Sequence, residues 1–271
     1  ANMEFGIYSN NIGIFNGSSS ALNSRSYYVP SITNNLSFTG ANHIGIASTG
    51  FLFSSLSKNS LIKDSYLSGD SQSGIALAFS YVGDFGNVSF HNVTMTNWKQ
   101  GVWINHGYNS TFTNCTIENN TIGVDLFSGA VGTGKDFTFI SNRIQNNSFS
   151  GINITKKASS NNTFYNNYIN NSVNVFPNSG AENDWNRTSI TGASIIGTAN
   201  LGGNFWATPA KDGWSQTCTD TNSDGFCESP YVIDENNTDY LPLTNNVNVA
   251  PNTPTVNITA IGGDTNLTGQ N

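Results

Sequence analysis

Thr111-Phe112-Thr113-Asn114-Cys115-Thr116-Ile117-Glu118-Asn119-Asn120-Thr121-Ile122-Gly123-Val124-Asp125-Leu126 is the stretch on which the fold turns. Phe112 and Ile117 are large apolar residues five positions apart, a short polar run follows, and Gly123-Val124-Asp125-Leu126 then alternates apolar with polar. Alternation with a period of two sends one side of a strand inward and the other to solvent. A strand this short cannot bury its apolar side alone, so the stretch requires neighbours of its own kind.

Those neighbours lie on both sides in the sequence. Leu61 to Leu67, Ser89 to Met95, Thr138 to Ile144 and Thr163 to Ile169 repeat the first half; Gly74-Ile75-Ala76-Leu77, Gly101-Val102-Trp103-Ile104 and Gly151-Ile152-Asn153-Ile154 repeat the second. Asn174 takes the glycine's place in the last unit, and Asn also tolerates a left-handed backbone. Counting from Gly45-Ile46-Ala47, the glycine positions recur every 22 to 29 residues, about one turn of a β-solenoid. Stacked rung on rung, Phe90, Phe112, Phe139 and Phe164 make one interior column and Met95, Ile117, Ile144 and Ile169 another. Asn97, Asn119, Asn146 and Asn171 share a repeat position and are expected to hydrogen-bond in a ladder at a corner between sheets. Gly13-Ile14-Phe15 and Asp184 to Ile196 read as weaker rungs. Neither leucine-rich nor propeller signatures occur, and no stretch sustains a 3.6-residue period, so helix should be scarce.

Composition agrees with a folded, exported chain. Of 271 residues, 43 are Asn and only 10% are charged, while apolar residues at 37% and aromatics at 12% suffice for a core. A net charge of −7 with 10 Lys and Arg, unclustered, argues against nucleic acid as a partner. No apolar run has the roughly 18 residues needed to span a bilayer. Asn-x-Ser/Thr triplets at Asn16, Asn35, Asn87, Asn92, Asn109, Asn114, Asn119, Asn146, Asn153, Asn161, Asn170, Asn186, Asn236, Asn257 and Asn266 are candidate glycosylation sites; a chain this rich in Asn, Ser and Thr also generates such triplets by chance. Cys218 and Cys227 are close enough in sequence to pair in an oxidising compartment, whereas Cys115 stands alone as a small core residue.

The pattern apolar-x-x-Asn-x-Ile-x-Asn-Asn-x-x-Gly-Ile, over residues 40 to 196, resembles the right-handed parallel β-helix repeats of the carbohydrate-binding and sugar-hydrolase group, including NosD-like periplasmic proteins and archaeal surface proteins. The resemblance implies the fold and says little of activity, because that group spans hydrolases, lyases, adhesins and modules without chemistry. The tail resembles the segment that follows the helix in those relatives: Gly203-Asn204-Phe205-Trp206, an Asp-rich loop, Pro230-Tyr231, and Tyr240-Leu241-Pro242-Leu243.

Within that tail, Asp220-Thr221-Asn222-Ser223-Asp224-Gly225-Phe226-Cys227-Glu228 places side-chain oxygens at positions 1, 3 and 5, Gly at 6, a backbone carbonyl at 7 (Phe226) and an acid at 9. This is the opening of an EF-hand-like calcium loop, and it predicts a structural Ca2+ held by Asp220, Asn222, Asp224, Phe226 and Glu228. Position 12 is Tyr231, so the last carboxylate has to come from elsewhere, Asp234 or Asp239. The alternative is an Asp/Asn/Gly turn without metal. Phe205, Trp206, Trp214, Tyr231 and Tyr240 are expected to cover the open end of the solenoid.

The organisation expected is an all-β parallel β-helix over residues 1–196, a cap with a calcium loop over 197–243, and over 244–271 a Pro/Asn-rich linker that begins a following β module. Asp64, Asp70, Asp84, Glu118, Asp125 and Asp136 occupy different repeat positions and form no catalytic column; Asp125 near Lys156 is the nearest approach to an acid–base pair. Copper, which the NosD resemblance raises, wants grouped His, Met or Cys. His43, His91, His106, Met3 and Met95 are scattered. Trp98, Trp103 and Tyr108, around the Gly101 turn, are candidates for glycan contact or else pack as satellite core. The sequence thus reads as an extracellular or cell-surface glycoprotein module for adhesion, surface assembly or glycan contact, whose partners are surface polysaccharide or neighbouring copies. The rival is a β-helix polysaccharide lyase or glycoside hydrolase.

Overall fold

The computed structural model describes residues 3–4, 13–15, 18–22, 25–29, 36–40, 42–46, 49–53, 58–70, 74–79, 86–127, 134–155, 160–177 and 180–246. Among these the chain winds as a parallel β-solenoid. One sheet of eight strands runs in chain order from Met3–Glu4 to Val175–Phe176, and a second, of fifteen strands, forms the other two faces of each turn. Helix among the described residues is confined to Trp214–Thr217.

Register follows the repeat. Phe90 pairs with Ile62 and Phe112, Phe112 with Phe139, and Phe139 with Phe164. In-register parallel strands lie about 4.8 Å apart, so identical side chains must stack. The rings do so at 4.6 Å centroid spacing, within 8° of parallel, and Trp185 continues the column at 4.7 Å from Phe164. Met95, Ile117, Ile144 and Ile169 are fully buried beside it.

Three corners turn the chain, and each uses two adjacent residues. The first has positive φ: Asn59, Asn87, Asn109, Asp136 and Asn161 at one corner, Asp64, Asn92, Asn114, Ser141 and Asn166 at the next, and Asn97, Asn119 and Asn146 at the third. Asn and Asp enter the left-handed region at least cost among residues with a side chain. The following residue points inward.

The expected asparagine ladder is therefore displaced by one position. Asn97, Asn119 and Asn146 hold the left-handed bend, whereas the buried column is Trp98, Asn120, Asn147 and Asn171, of which only Asn171 belongs to the expected set. Asn147 Oδ1 accepts from the Asn120 N–H at 3.1 Å, Asn171 Oδ1 from the Asn147 N–H at 2.8 Å, and each amide donates back to the rung before, Asn147 Nδ2 to the Ile117 carbonyl at 3.2 Å. A second column runs Cys115, Asn142, Asn167, Asn204 and a third Asn162, Asn183, Asn237.

Of the repeat's glycines Gly74 is left-handed, with φ of 82°, but the three that follow serve another purpose than the one expected. Gly101, Gly123 and Gly151 are absent from the positive-φ residues; a Cβ on Gly151 would stand 2.4 Å from Asn171 Nδ2 and 2.8 Å from the Asn174 carbonyl. They make room for the ladder. Asn174, which replaces glycine, is not left-handed either, and it joins the ladder by accepting from the Asn171 N–H at 2.8 Å.

The large sheet continues past residue 196, since Phe205–Ala207 pairs in parallel with Tyr168–Asn170, inside the span assigned to the cap. Trp206 is buried against Trp185 and Tyr231, and Trp214, itself exposed, stands 5.9 Å from Tyr231. Phe205 instead belongs to a separate cluster with Phe226 and Leu243, and Tyr240 is 68% exposed, so these two do not cover the core.

Candidate functional site

The Asp220–Glu228 loop is pinned as expected by a disulfide between Cys218 and Cys227, with Cα atoms 5.6 Å apart. Asp220 is fully buried; its Oδ1 accepts the Asp224 N–H at 3.2 Å and its Oδ2 the Gly225 N–H at 2.9 Å. Asn222 Oδ1 accepts the same Asp224 N–H at 3.0 Å, and Asp224 Oδ1 accepts the Phe226 N–H at 2.9 Å. Ser223 and Gly225, both at positive φ, make the tight turn. Asp220, Asn222 and Asp224 are thereby gathered around one bend. Glu228 is exposed and folds over Thr221, whose N–H lies 2.9 Å from Oε1; the Thr221 hydroxyl and N–H hold its carboxyl below the usual range.

Asp234 and Asp239, the candidates for the last carboxylate, are engaged elsewhere. Asp239 is fully buried, and its Oδ2 accepts the Asn204 N–H and the Trp206 Nε1–H, each at 2.8 Å. Burial outweighs these bonds and lifts its carboxyl to about 7. Asp234 Oδ1 accepts from Asn236 N–H and Asn237 Nδ2, both at 2.8 Å. Among the described residues, no group of three or more His, Cys, Asp or Glu side chains stands together as metal ligands.

The proposed glycan-contact trio divides. Trp98 is fully buried in the ladder column, with its indole N–H on the Leu67 carbonyl at 3.1 Å, which removes it from any glycan surface. Trp103 does face outward between buried Val102 and Ile104 and lies against Phe127 at 5.8 Å, and Tyr108 is half-buried. Asp125, beside Trp103 on the sheet, is bonded by Gln100, Asn153 and Thr155; burial raises its carboxyl above the usual range.

The candidate glycosylation sites acquire a structural origin. Asn87, Asn92, Asn109, Asn114, Asn119, Asn146 and Asn161 are all exposed left-handed corner residues. A corner Asn, an inward residue and a Ser or Thr at or near the next strand's start spell Asn-x-Ser/Thr whatever the fate of the side chain. Asn153, Asn170 and Asn186 are half-buried, Asn153 with its amide on Asp125 at 3.0 Å; Asn236 is exposed. Asn16, Asn35, Asn257, Asn266, Asp84, Lys156 and the stretch 247–271 lie outside the described residues.

A feature that the sequence did not announce is a cleft of about 650 Å3 between the outer face of the large sheet and the segment 195–197. Tyr168 and Phe205, paired across strands, stack at 5.3 Å and 8° to form one wall, and Ile195 and Ile196 pack against them. The Arg143 guanidinium lies over the Tyr168 ring at 5.0 Å; Lys211, Gln216 and Asn245 also line the cleft, with no acid among the lining side chains.

Residues 4–211 match the family model described as "Periplasmic copper-binding protein (NosD)". The chain belongs to this family. No match is found among curated proteins. Among solved structures, the NosD-family solenoid is similar to tailspike protein gp49 from Acinetobacter baumannii bacteriophage Fri1, a capsular polysaccharide depolymerase, at a TM-score of 0.42 and 16% identity over 62% of this chain. It spans 36% of the tailspike chain.

The family's description raises copper, and the described residues of this NosD-family chain do not fit it. Met95 is fully buried in the apolar core, and burial pushes the Cys115 thiol up to about 12, far from the thiolate a metal requires. His91 is exposed on the large sheet, while His106 follows a strand of the other sheet. No helix among the described residues is long and apolar enough to cross a membrane.

Proposed function

We propose that this chain is an exported surface module, a rigid solenoid that contacts glycans through its outer faces, and that a structural calcium ion seats in its Asp220–Glu228 loop. The observation that carries the glycan reading is the regular outer array of neutral hydrogen-bonding groups. Exposed corner amides recur at the strand spacing and bond one another, Asn109 Nδ2 to Asn87 Oδ1 at 2.8 Å and Asn87 Nδ2 to Asn59 Oδ1 at 3.4 Å. Amides and hydroxyls on a stiff support match sugar hydroxyls at little entropic cost on binding. Adhesion and surface assembly follow from such contacts. The direct test is the intact chain on a panel of immobilised neutral and acidic oligosaccharides; binding to none of them would overturn the reading.

For calcium, the support is the gathering of Asp220, Asn222 and Asp224 oxygens around one disulfide-pinned turn in a chain that is otherwise poor in charge. A hard cation wants such oxygens. Thermal unfolding of non-reduced protein should show a melting temperature several degrees lower in chelator and restored by calcium, since ligand at a thousand times its Kd adds about 4 kcal/mol. An unchanged melting curve would make the loop an ordinary turn.

A further inference from the structure

We propose that the cleft beside Tyr168 and Phe205 takes an acidic saccharide, with the sugar's C–H groups against the apolar lining and its acidic groups met by Arg143 and Lys211. This deepens the glycan-contact reading and rests on it. Charge argues first. The protein has 10 Lys and Arg against 17 Asp and Glu, yet two of the ten line a single cleft that no acid lines. Neither forms an ion pair among the described residues. Glu118, which pairs with Gln145 on the neighbouring strand, is bonded by Gln145 Nε2 at 2.8 Å, and Asp212, next to Lys211, accepts from the Thr208 hydroxyl; neither acid lines the cleft. The cleft lining therefore carries two cations outside any ion pair and no acid, which favours an anion.

Shape then narrows the anion. Ile195, Ile196 and the edges of the stacked Tyr168 and Phe205 rings line the cleft with apolar surface that suits the C–H groups of a pyranose and serves a bare inorganic ion not at all. A volume of about 650 Å3 falls in the range of sites that enclose small organic ligands. Gln216 spends its Oε1 on the Thr208 and Gly213 N–H groups, both at 2.9 Å, leaving Nε2 as a neutral donor for hydroxyls beside Asn245. The guanidinium of Arg143, planar and exposed over Tyr168, has the fork that meets a carboxylate with two bonds.

Lys211 supplies an independent sign. It holds φ of 65°, where Gly or Asn would sit without penalty, and its N–H donates to the Thr208 carbonyl at 3.0 Å. A long β-unbranched cation kept in a left-handed position is strained and is maintained by the turn around it. Retaining the strain is understandable if the ammonium group has a ligand.

The test is calorimetric titration of the intact, disulfide-bonded chain at low ionic strength with tetragalacturonate, maltotetraose and sodium sulfate as probes. Tetragalacturonate is expected to bind, and more weakly as salt is added. Arg143→Gln and Lys211→Gln should each weaken it by about tenfold, as loss of one charge-assisted contact does. Both side chains are exposed, so an unchanged melting temperature will show that the variants fold; Tyr168→Leu should weaken binding further. Tetragalacturonate binding that matches sulfate in strength, or that survives the two cation substitutions, overturns the proposal. Maltotetraose binding as tightly as tetragalacturonate overturns it too while leaving glycan contact standing, and no saccharide binding at millimolar concentration removes both.

Discussion

At its three inward corner positions, the rung of Val88, Val93 and Trp98 and the rung of Asn162, Asn167 and Asn171 solve one problem with opposite chemistry. The earlier rung fills two corners with plain aliphatic volume. The later one places three amides in the same buried places and satisfies each through the rung before it and a following asparagine, Asn183, Asn204 or Asn174. Two residues mark the transition. Trp98 donates its indole N–H to the Leu67 carbonyl as Asn120 donates its amide to Met95, and the Cys115 thiol approaches the Phe90 carbonyl at 3.7 Å as Asn142 does that of Phe112. The corner thus requires volume everywhere and a donor only where the column continues. A buried amide with every partner in place stabilises; one with a partner missing costs more than it gave.

The largest expected effect separates these two regimes. Asn167→Ala strips Oδ1 from the Asn142 N–H and amide, takes the amide donor from the Phe139 carbonyl and leaves Asn204 Oδ1 only the backbone N–H of residue 167, so denaturant unfolding should show a loss of about 3 kcal/mol or more. Val93→Ala, which removes only two methyl groups at the same corner, should cost about 2 kcal/mol or less. Equal losses would mean that the amide column contributes packing alone.

A smaller effect tests where the second column ends. Asp239 lies at its C-terminal end with a carboxyl raised to about 7 from 3.8, so the folded chain binds that proton more tightly than the unfolded chain. The stability this contributes is complete below about pH 4 and is lost as pH rises toward and through 7. The melting temperature should accordingly fall between pH 5 and pH 8 by more in the natural chain than in Asp239→Asn, and parallel curves would show that the carboxyl is ionised throughout.

The smallest effect sharpens the boundary itself. Cys115→Asn extends the amide column by one rung toward Val93, whose N–H already lies against the thiol. Stability should stay within about 1 kcal/mol of the natural chain. A larger loss would show that the earlier corner is too tight for an amide.

The solenoid was legible because its signal is a column. Phe112 is followed by Phe139 and Phe164 at the same place in each turn, and parallel register leaves such residues no arrangement but a stack. The ladder was legible to within one residue, since Asn119-Asn120 and Asn146-Asn147 put the bend and the inward amide side by side in the same residue type, and only φ distinguishes them. Trp98 misled for a related reason: an indole and a carboxamide share a column because both carry a donor. The disulfide and the gathering of Asp220, Asn222 and Asp224 were local enough to read. The cleft was not, because Arg143, Tyr168 and Phe205 share a register column but Lys211 and Gln216 come from beyond the repeat.

An asparagine column has a direction. Each member receives at its oxygen from the rung before and passes a donor on to the rung after, so in principle any number of rungs can be added. Two of the three columns stop at a carboxylate: Asn204 hands its N–H and its amide to Asp239, and Asn237 hands its amide to Asp234. In both, a carboxyl oxygen takes the column's donor and serves in that bond only as an acceptor. These two aspartates act on the growing column as a chain terminator acts on a polymer, fixing the length of the rod and denying a second molecule the open end on which to continue it.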